Sequence, residues 1–452
     1  MTLPRLSRIL HRIATREWLT ILLCLLILAA ELGWQNGLGR LDQTLYDGFT
    51  TFNSRPARDD IIIVAIDDYS LAQLGRWPWP RKLHAQLLDR LSAAKPRAIG
   101  LDVILTEPER PDATGKRPGD DAIAAALRLS GKTVLPVVVA NLGAGMAATL
   151  PVDAIGAHAK ALGHINLEHD NDGVVRSVFL YEGQNGAWWP HFALALARTG
   201  GADLARLMPL TDEKQRPGNW VRTREMHIPF AGGNGHFRSV PYVAVLNGEV
   251  PAQFFTDKYV LVGATAIGMT DSYPTAVSGE SGAMPGVEIN ANILSSLLDG
   301  KSVRFARPWQ TALFSVLPVL LALLGFVFLR SRLALLLGAS LLLATLGASY
   351  LVLCNGIWLP PAAALIVLLI SYPLWSWRRL EAAIAYLSQE FMRLDKEPHL
   401  LPEAAPTAAP VAIEDELEHR IKAMETAARR VRDLRQFISD SLDSLPDATL
   451  VT

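Results

Sequence analysis

Three stretches of the chain, Pro308–Leu329, Leu333–Leu353 and Trp358–Trp377, contain no charged residue. Each is about 20 residues long, enough for a helix to cross roughly 30 Å of hydrocarbon. A fourth run near the N-terminus, Trp18–Trp34, is shorter and carries Glu31 near its far end. Trp18 and Trp34 bracket it as an interfacial belt would. A cleaved signal peptide is the alternative for this run, given the basic residues before it and the small residues Ala29 and Ala30. In either case the segment that follows is exported. The pattern predicts four transmembrane helices, at 17–35, 308–329, 333–353 and 358–377.

Their orientation follows from the arginines. Arg5, Arg8, Arg12 and Arg16 precede the first run, Arg330 and Arg332 fill the turn between the second and third, and Arg378 and Arg379 follow the fourth. Basic residues are retained on the cytoplasmic side. Residues 1–16 and the C-terminal part are therefore expected inside, and the long segment after the first run outside. Lys301, Arg304 and Arg307 stand on the outer side against this trend, though long translocated domains are largely exempt from it. The expected location is a bacterial inner membrane, crossed several times, with lipid as an obligatory partner. A net charge of −1 over 452 residues gives no reason to expect nucleic acid. The two cysteines, Cys24 and Cys354, lie in or beside the apolar runs, so no disulfide framework is implied. The exported segment must be held by a hydrophobic core.

That segment, 36–305, alternates strand-like and helix-like patterns. IIIVAI at Ile61–Ile66 is a buried strand type, and RKLHAQLLDRLSAAK sets Leu83, Leu87, Leu88 and Leu91 on one helical face. RAIGLDVIL, DDAIAAALRLSG and KTVLPVVVA continue as strand, helix and strand. The βαβαβ order predicts an α/β domain, a mostly parallel sheet with helices on both faces. LGHINLEHDNDGVVRSVFL reads as a hairpin turning at Asn171–Asp172–Gly173. A helix in PHFALALART, a strand in KYVLVGATA and a helix in PGVEINANILSSLLDG complete the segment, and the last of these feeds the second apolar run.

The runs DDIIIVAIDDYSLAQLGRWPWPRKLHAQLLDRL, LGHINLEHDNDGVVRSV, DKYVLVGATAIGMTDSYPT and MPGVEINANIL closely resemble the second type of CHASE domain. That is the extracellular sensory domain associated with cyclases and histidine kinases. The resemblance covers roughly residues 40–305 in order. It implies detection of an external ligand or periplasmic partner, with the signal passed to a cytoplasmic module; it does not supply the ligand.

In open α/β sheets ligands favour the crevice beyond the carboxyl ends of the strands. Asp67 and Asp68 end the first strand, Asp102 lies near the end of the second, and Asp271 follows the VLVGATA strand. If these ends converge they form an acidic cluster that Arg81 could balance, suited to a divalent cation or an amine. The alternative is structural: a helix cap at Asp67 or Asp68, and a salt-bridge partner for Asp102. Trp77 and Trp79 in WPWP are read as a rigid turn plugging a core edge, with an aromatic ligand wall as the alternative. His164, His191 and His227 show no metal-ligand spacing. No catalytic residue, cofactor or metal is expected within the chain.

After the fourth run, Leu380, Ile384, Leu387, Phe391 and Leu394 recur at heptad steps, giving a cytoplasmic helix over 378–395. A Pro/Ala linker follows at 396–412. A second seam, from Leu417 through Leu445, predicts a coiled-coil signalling helix over 413–445 that pairs with its copy in a homodimer. His419 lies on that helix with no ATP-binding region after it. The final SLDSLPDATLVT resembles the start of a PAS domain, so 446–452 is expected to be a truncated one. Together these features predict the sensing and transmission part of a sensor histidine kinase of a two-component system, whose full-length form would act on a response regulator. A sensor driving an adenylate or diguanylate cyclase, and a non-enzymatic scaffold for a periplasmic partner, are the alternatives.

Overall fold

The computed structural model describes residues 3–394 except 142–145, 185, 205–206, 209–218, 270 and 280, and beyond them only positions 432, 435, 436 and 439. The expected linker, coiled-coil helix with His419, and PAS-like start therefore lie outside the described residues, apart from those four positions. The chain divides into two compact units: Glu31–Phe314 with Ala344–Ala363, and Met1–Ala30 with Ser315–Leu343 and Ala364–Thr452.

The first unit is built on a seven-stranded sheet. Its strands are β1 (Ile61–Ile66), β2 (Ala98–Leu101), β3 (Thr133–Asn141), β4 (Met146–Thr149), β5 (Ala161–His164), and two that come later in the chain. Between β5 and those two lie β6 (Glu168–His169), β7 (Val175–Gln184), β8 (Ala187–Pro190) and β9 (Trp220–His227). The later pair are β10 (Arg238–Pro241) and β11 (Tyr259–Ala264). The order is β10-β1-β11-β2-β3-β4, with β5 also paired to β3. All pairings are parallel except β3–β4. The expected mostly parallel sheet is present.

The helices cover both faces, and β1 shows why its sequence carries no polar alternation. Ile61, Ile63 and Ala65 enter one core; Ile62, Val64 and Ile66 enter the other. A strand buried on both sides reads as an unbroken apolar run. Helices α1 (Leu3–Gln35), α2 (Gly39–Phe52), α3 (Asp68–Leu74), α4 (Arg81–Ala93), α5 (Pro118–Ser130) and α6 (Asp153–Gly156) precede β5. Leu87, Leu88 and Leu91 of α4, with Ile123 and Leu127 of α5, close the even-numbered face. The odd-numbered face is closed by α7 (Phe192–Thr199) and, beyond α8 (Tyr242–Asn247), by α9 (Gly286–Asp299).

The hairpin expected at Asn171–Gly173 forms, with Gly173 at φ 79° and β6 antiparallel to β7. It belongs to something larger. A second, antiparallel sheet sets β7 between β8 and β9, two strands that the sequence pattern does not announce.

Three apolar helices remain: α10 (Pro308–Phe328), α11 (Ser331–Cys354) and α12 (Ala362–Leu394). Among the described residues three segments are long and apolar enough to cross a membrane: Trp18–Gln35, Pro308–Phe328 and Ser331–Cys354. This corrects the expectation of four. The run Trp358–Trp377 does not begin as a helix, because Ile357 and Trp358 pair as a short strand with Arg304 and Phe305. Helix starts only at Ala362 and meets Arg378 and Arg379 before it has run the about 20 residues a hydrocarbon core requires. Its first turn is fastened instead to α2: the buried Asp42 carboxylate accepts the Ala362 N–H at 2.9 Å, and Tyr46 packs edge-on to Trp358 at 5.2 Å. Within the second unit, Phe326 of α10 packs against Tyr372 and Trp375 of α12. Leu380 and Leu387, expected on a seam, are exposed.

Candidate functional site

Asp67 ends β1 and caps α3, its side chain accepting the Ser70 N–H at 2.8 Å. Asp68 begins that helix and accepts the Ile267 N–H at 3.4 Å from the loop after β11. Arg81 opens α4 but turns away from both. Its buried guanidinium pairs with Asp120 and donates to the Glu107 carbonyl. Asp120 in turn accepts the Glu109 N–H at 3.2 Å. Arg81 is thus committed to the first turn of α5 and the loop before it. Trp79 is buried against Tyr242 at 4.8 Å and donates to the Gly75 carbonyl at 2.8 Å, so the WPWP turn plugs a core edge. His164 and His191 are buried ring neighbours with centroids 5.1 Å apart, and His227 lies against Phe305.

Two of the five residues do converge. Asp102 follows β2, its amide donating to the Val262 carbonyl of β11 at 2.8 Å. Asp271 lies at the start of α9, where its carbonyl accepts the Gly286 N–H at 2.9 Å. A Cβ at Gly286 would lie only 2.7 Å from the Asp271 carboxylate, and a Cβ at Gly263 only 2.7 Å from that of Val287 and 3.4 Å from that of Asp102. Glycine at these two positions lets the helix, the strand end and both acids meet.

Burial dominates the electrostatics. Asp102 is pushed up to about 7, first by desolvation and then by the charge of Asp271. Asp271 is also raised by burial, with a hydrogen bond from Tyr273 offsetting part of it. Tyr273 is pushed up to about 12 by burial and by Asp271. Two like charges in a desolvated site are unfavourable together, so the pair favours holding a proton or accepting a cation. The start of α9 supplies partial positive charge but no counter-ion. Among the described residues no group of three or more His, Cys, Asp or Glu is arranged to hold a metal ion.

Asn290, which sequence reasoning passes over, completes the site. Its amide nitrogen donates to Asp102 at 3.1 Å, while its carbonyl oxygen is buried without a hydrogen-bond partner among the described residues. A signal exists: α9 is buried from Gly286 to Leu297 and still carries Glu288, Asn290 and Asn292. A polar residue on a wholly buried helix needs a partner or a task.

The cap and the pair are separable. Asp67→Ala is expected to cost about 1 kcal/mol, with Asp67→Asn close to wild type, when unfolding is followed in urea; equal losses would mean that the cap is not what the side chain provides.

A family model described as the CHASE2 domain matches residues 20–331. No curated protein and no solved structure matches the chain.

Proposed function

The chain belongs to the CHASE2 family, a family of extracellular sensor domains in membrane signalling proteins, and from that premise we propose that it detects a stimulus outside the cell and passes it to a cytoplasmic output module. The module that fits the reading best is a histidine kinase of a two-component system, acting as a homodimer on a response regulator. The stimulus is read at the strand-end acid pair, Asp102 and Asp271.

One observation carries this reading. Helix α9 contributes Gly286 and Asn290 to the acid pair and, through Gly300–Arg307, continues directly into α10, a candidate membrane span. Protonating the pair, or placing a cation on it, changes the force on the start of α9. A shift of about 1–2 Å, or a rotation, in a packed helix is enough to bias a two-state element, and coupling of about 1–3 kcal/mol makes a useful signal. The arginines before the Trp18–Gln35 span and the Arg330–Arg332 turn favour a cytoplasmic N-terminus with the sensor outside.

The reading requires the sensor and the Arg330–Arg332 turn to lie on opposite sides of the membrane, with α10 between them. Single cysteines replacing Ala113 and Ser331, which are both exposed, in a chain whose Cys24 and Cys354 are serine, test this on intact cells. An impermeant thiol reagent is expected to modify position 113 and to spare 331 until the cells are lysed. Modification of both before lysis would sink the proposal.

A further inference from the structure

We propose that a cavity at the C-terminal end of α9 is a binding site for a phosphate-type anion. The cavity has a volume of about 600 Å³ and opens between α2, the α9–α10 connection and the turn after α11. That size suits a ligand as large as a lipid head group.

Its charge is one-sided. Arg55, Lys301 and Arg304 line it, and no carboxylate does. Arg55 is already engaged with Asp299 at 2.7 Å. Lys301 and Arg304 are exposed, and among the described residues neither has an ion-pair partner. Lys301 alone could be assigned to the carbonyl-rich end of α9, which attracts cations within its last turn. Arg304 lies beyond that turn, held in place by its backbone pairing to Ile357, so this assignment does not account for it. The same residues stand on the outer side of α10 against the usual distribution of basic residues, and an anion in the cavity gives them a reason to be there.

The other wall points to the same class of ligand. Tyr46 and Thr50 line the cavity, and the buried Tyr46 hydroxyl, beside the Thr50 side chain, makes no hydrogen bond of good geometry among the described residues. A buried hydroxyl favours a partner, and phosphate oxygens accept strongly. Leu353 and Ile357 add apolar surface beside it. The geometry therefore accepts a phosphate head with or without an apolar tail. A phospholipid head group and soluble phosphate share this chemistry. The site is independent of the acid pair, though α9 carries one at each end.

Native mass spectrometry of the full chain in uncharged detergent tests the proposal. Phosphatidylglycerol is expected to bind at least tenfold more tightly than phosphatidylcholine of the same acyl chains. Lys301→Gln combined with Arg304→Gln is expected to abolish that preference. Neither side chain makes a hydrogen bond to another described residue, so the double variant should keep its melting temperature. Displacement of the lipid by millimolar inorganic phosphate would identify the anion alone as sufficient, and persistence of the lipid would identify a head group held with its chains. Unchanged phosphatidylglycerol binding in the double variant would overturn the site, as would the absence of any preference together with no bound phosphate.

Discussion

Arg176→Ala is expected to destabilise the exported domain by about 3 kcal/mol, the low end of what breaking a buried charge network costs. Arg176 lies on β7 and is 4% exposed. Its guanidinium donates to Asp47 of α2 at 2.6 and 2.8 Å, to Asp170 at 2.6 Å, and to Asp172 at 2.8 and 3.0 Å. One planar cation thus ties the helix that follows the first span to the β6–β7 hairpin. The low end applies because the carboxylates are a quarter to a third exposed, so water softens the repulsion left behind. Arg176→Lys keeps the charge but cannot fork to three partners, and an intermediate loss is expected.

The loss should depend on pH with a definite sign. Asp172 is held below the usual carboxylate range, chiefly by its hydrogen bond to Arg176. Its contribution is therefore present above the unfolded value of about 3.9 and is lost as pH falls through the lower folded value. Asp47 is raised instead, because burial outweighs the arginine. Urea denaturation of both chains at pH 7 and near pH 3 checks this: the difference should be large at the first and small at the second. A difference under about 1 kcal/mol at pH 7 would mean that the network is solvated and holds little.

Asp102→Asn is expected to work in the opposite direction and to grow with pH. With a folded value of about 7 against about 3.9 unfolded, the native state holds a proton that the unfolded chain has released. Wild type thus loses about 1.4 kcal/mol from this group for each pH unit between about 4 and 7. Asparagine keeps a hydrogen-bonding group beside Asn290 and never ionises. The variant should match wild type at pH 4 and exceed it by about 2–4 kcal/mol at pH 8.

The absolute slope cannot be used for this test, because other groups contribute. Asp42, raised to about 6 by burial, adds a slope of the same sign below that pH. His84, His164, His191 and His227 are all depressed by burial. Each supplies stability that is present above about 6.5 and lost as pH falls, which opposes the acids. Only the difference between the two chains isolates Asp102. Hydrogen exchange adds the functional half: α9 amides should change protection between pH 5 and 8 in wild type and not in the variant. If α9 responds equally in both, the acid pair does not control the helix.

Part of the fold is legible in the amino-acid order alone. The leucines of α4 fall on one face, and the glycine-containing turn at 171–173 fixes its hairpin, because both depend on neighbours within a few residues. The motifs at 59–91, 162–178, 257–275 and 284–294 carry enough of the CHASE2 pattern to identify the family. The site is half legible. Strand ends mark Asp102 and Asp271 as candidates, but the same rule admits Asp67 and Asp68, which serve α3 and the loop after β11. Nothing local marks Arg81 as the partner of Asp120 rather than of the strand-end acids. That the run at 358–377 does not form a fourth span is not legible, because an absence of charge does not by itself make helix, and β-pairing at Ile357–Trp358 delays the helix to Ala362.

Residue order is enough to say which surfaces seek burial. A run such as IIIVAI must be covered on both sides, and charge-free runs such as those at 308–328 and 333–354 must leave water, because apolar area exposed to solvent costs free energy wherever the chain goes. Which charges and polar groups meet is set by three-dimensional packing. Arg55 finds Asp299, Asp42 finds Ala362 and Asn290 finds Asp102, all across separations no periodicity spans. Hydrophobic burial is non-directional and can be read from pattern, whereas an ion pair or hydrogen bond exists only at one distance and angle, which packing alone sets.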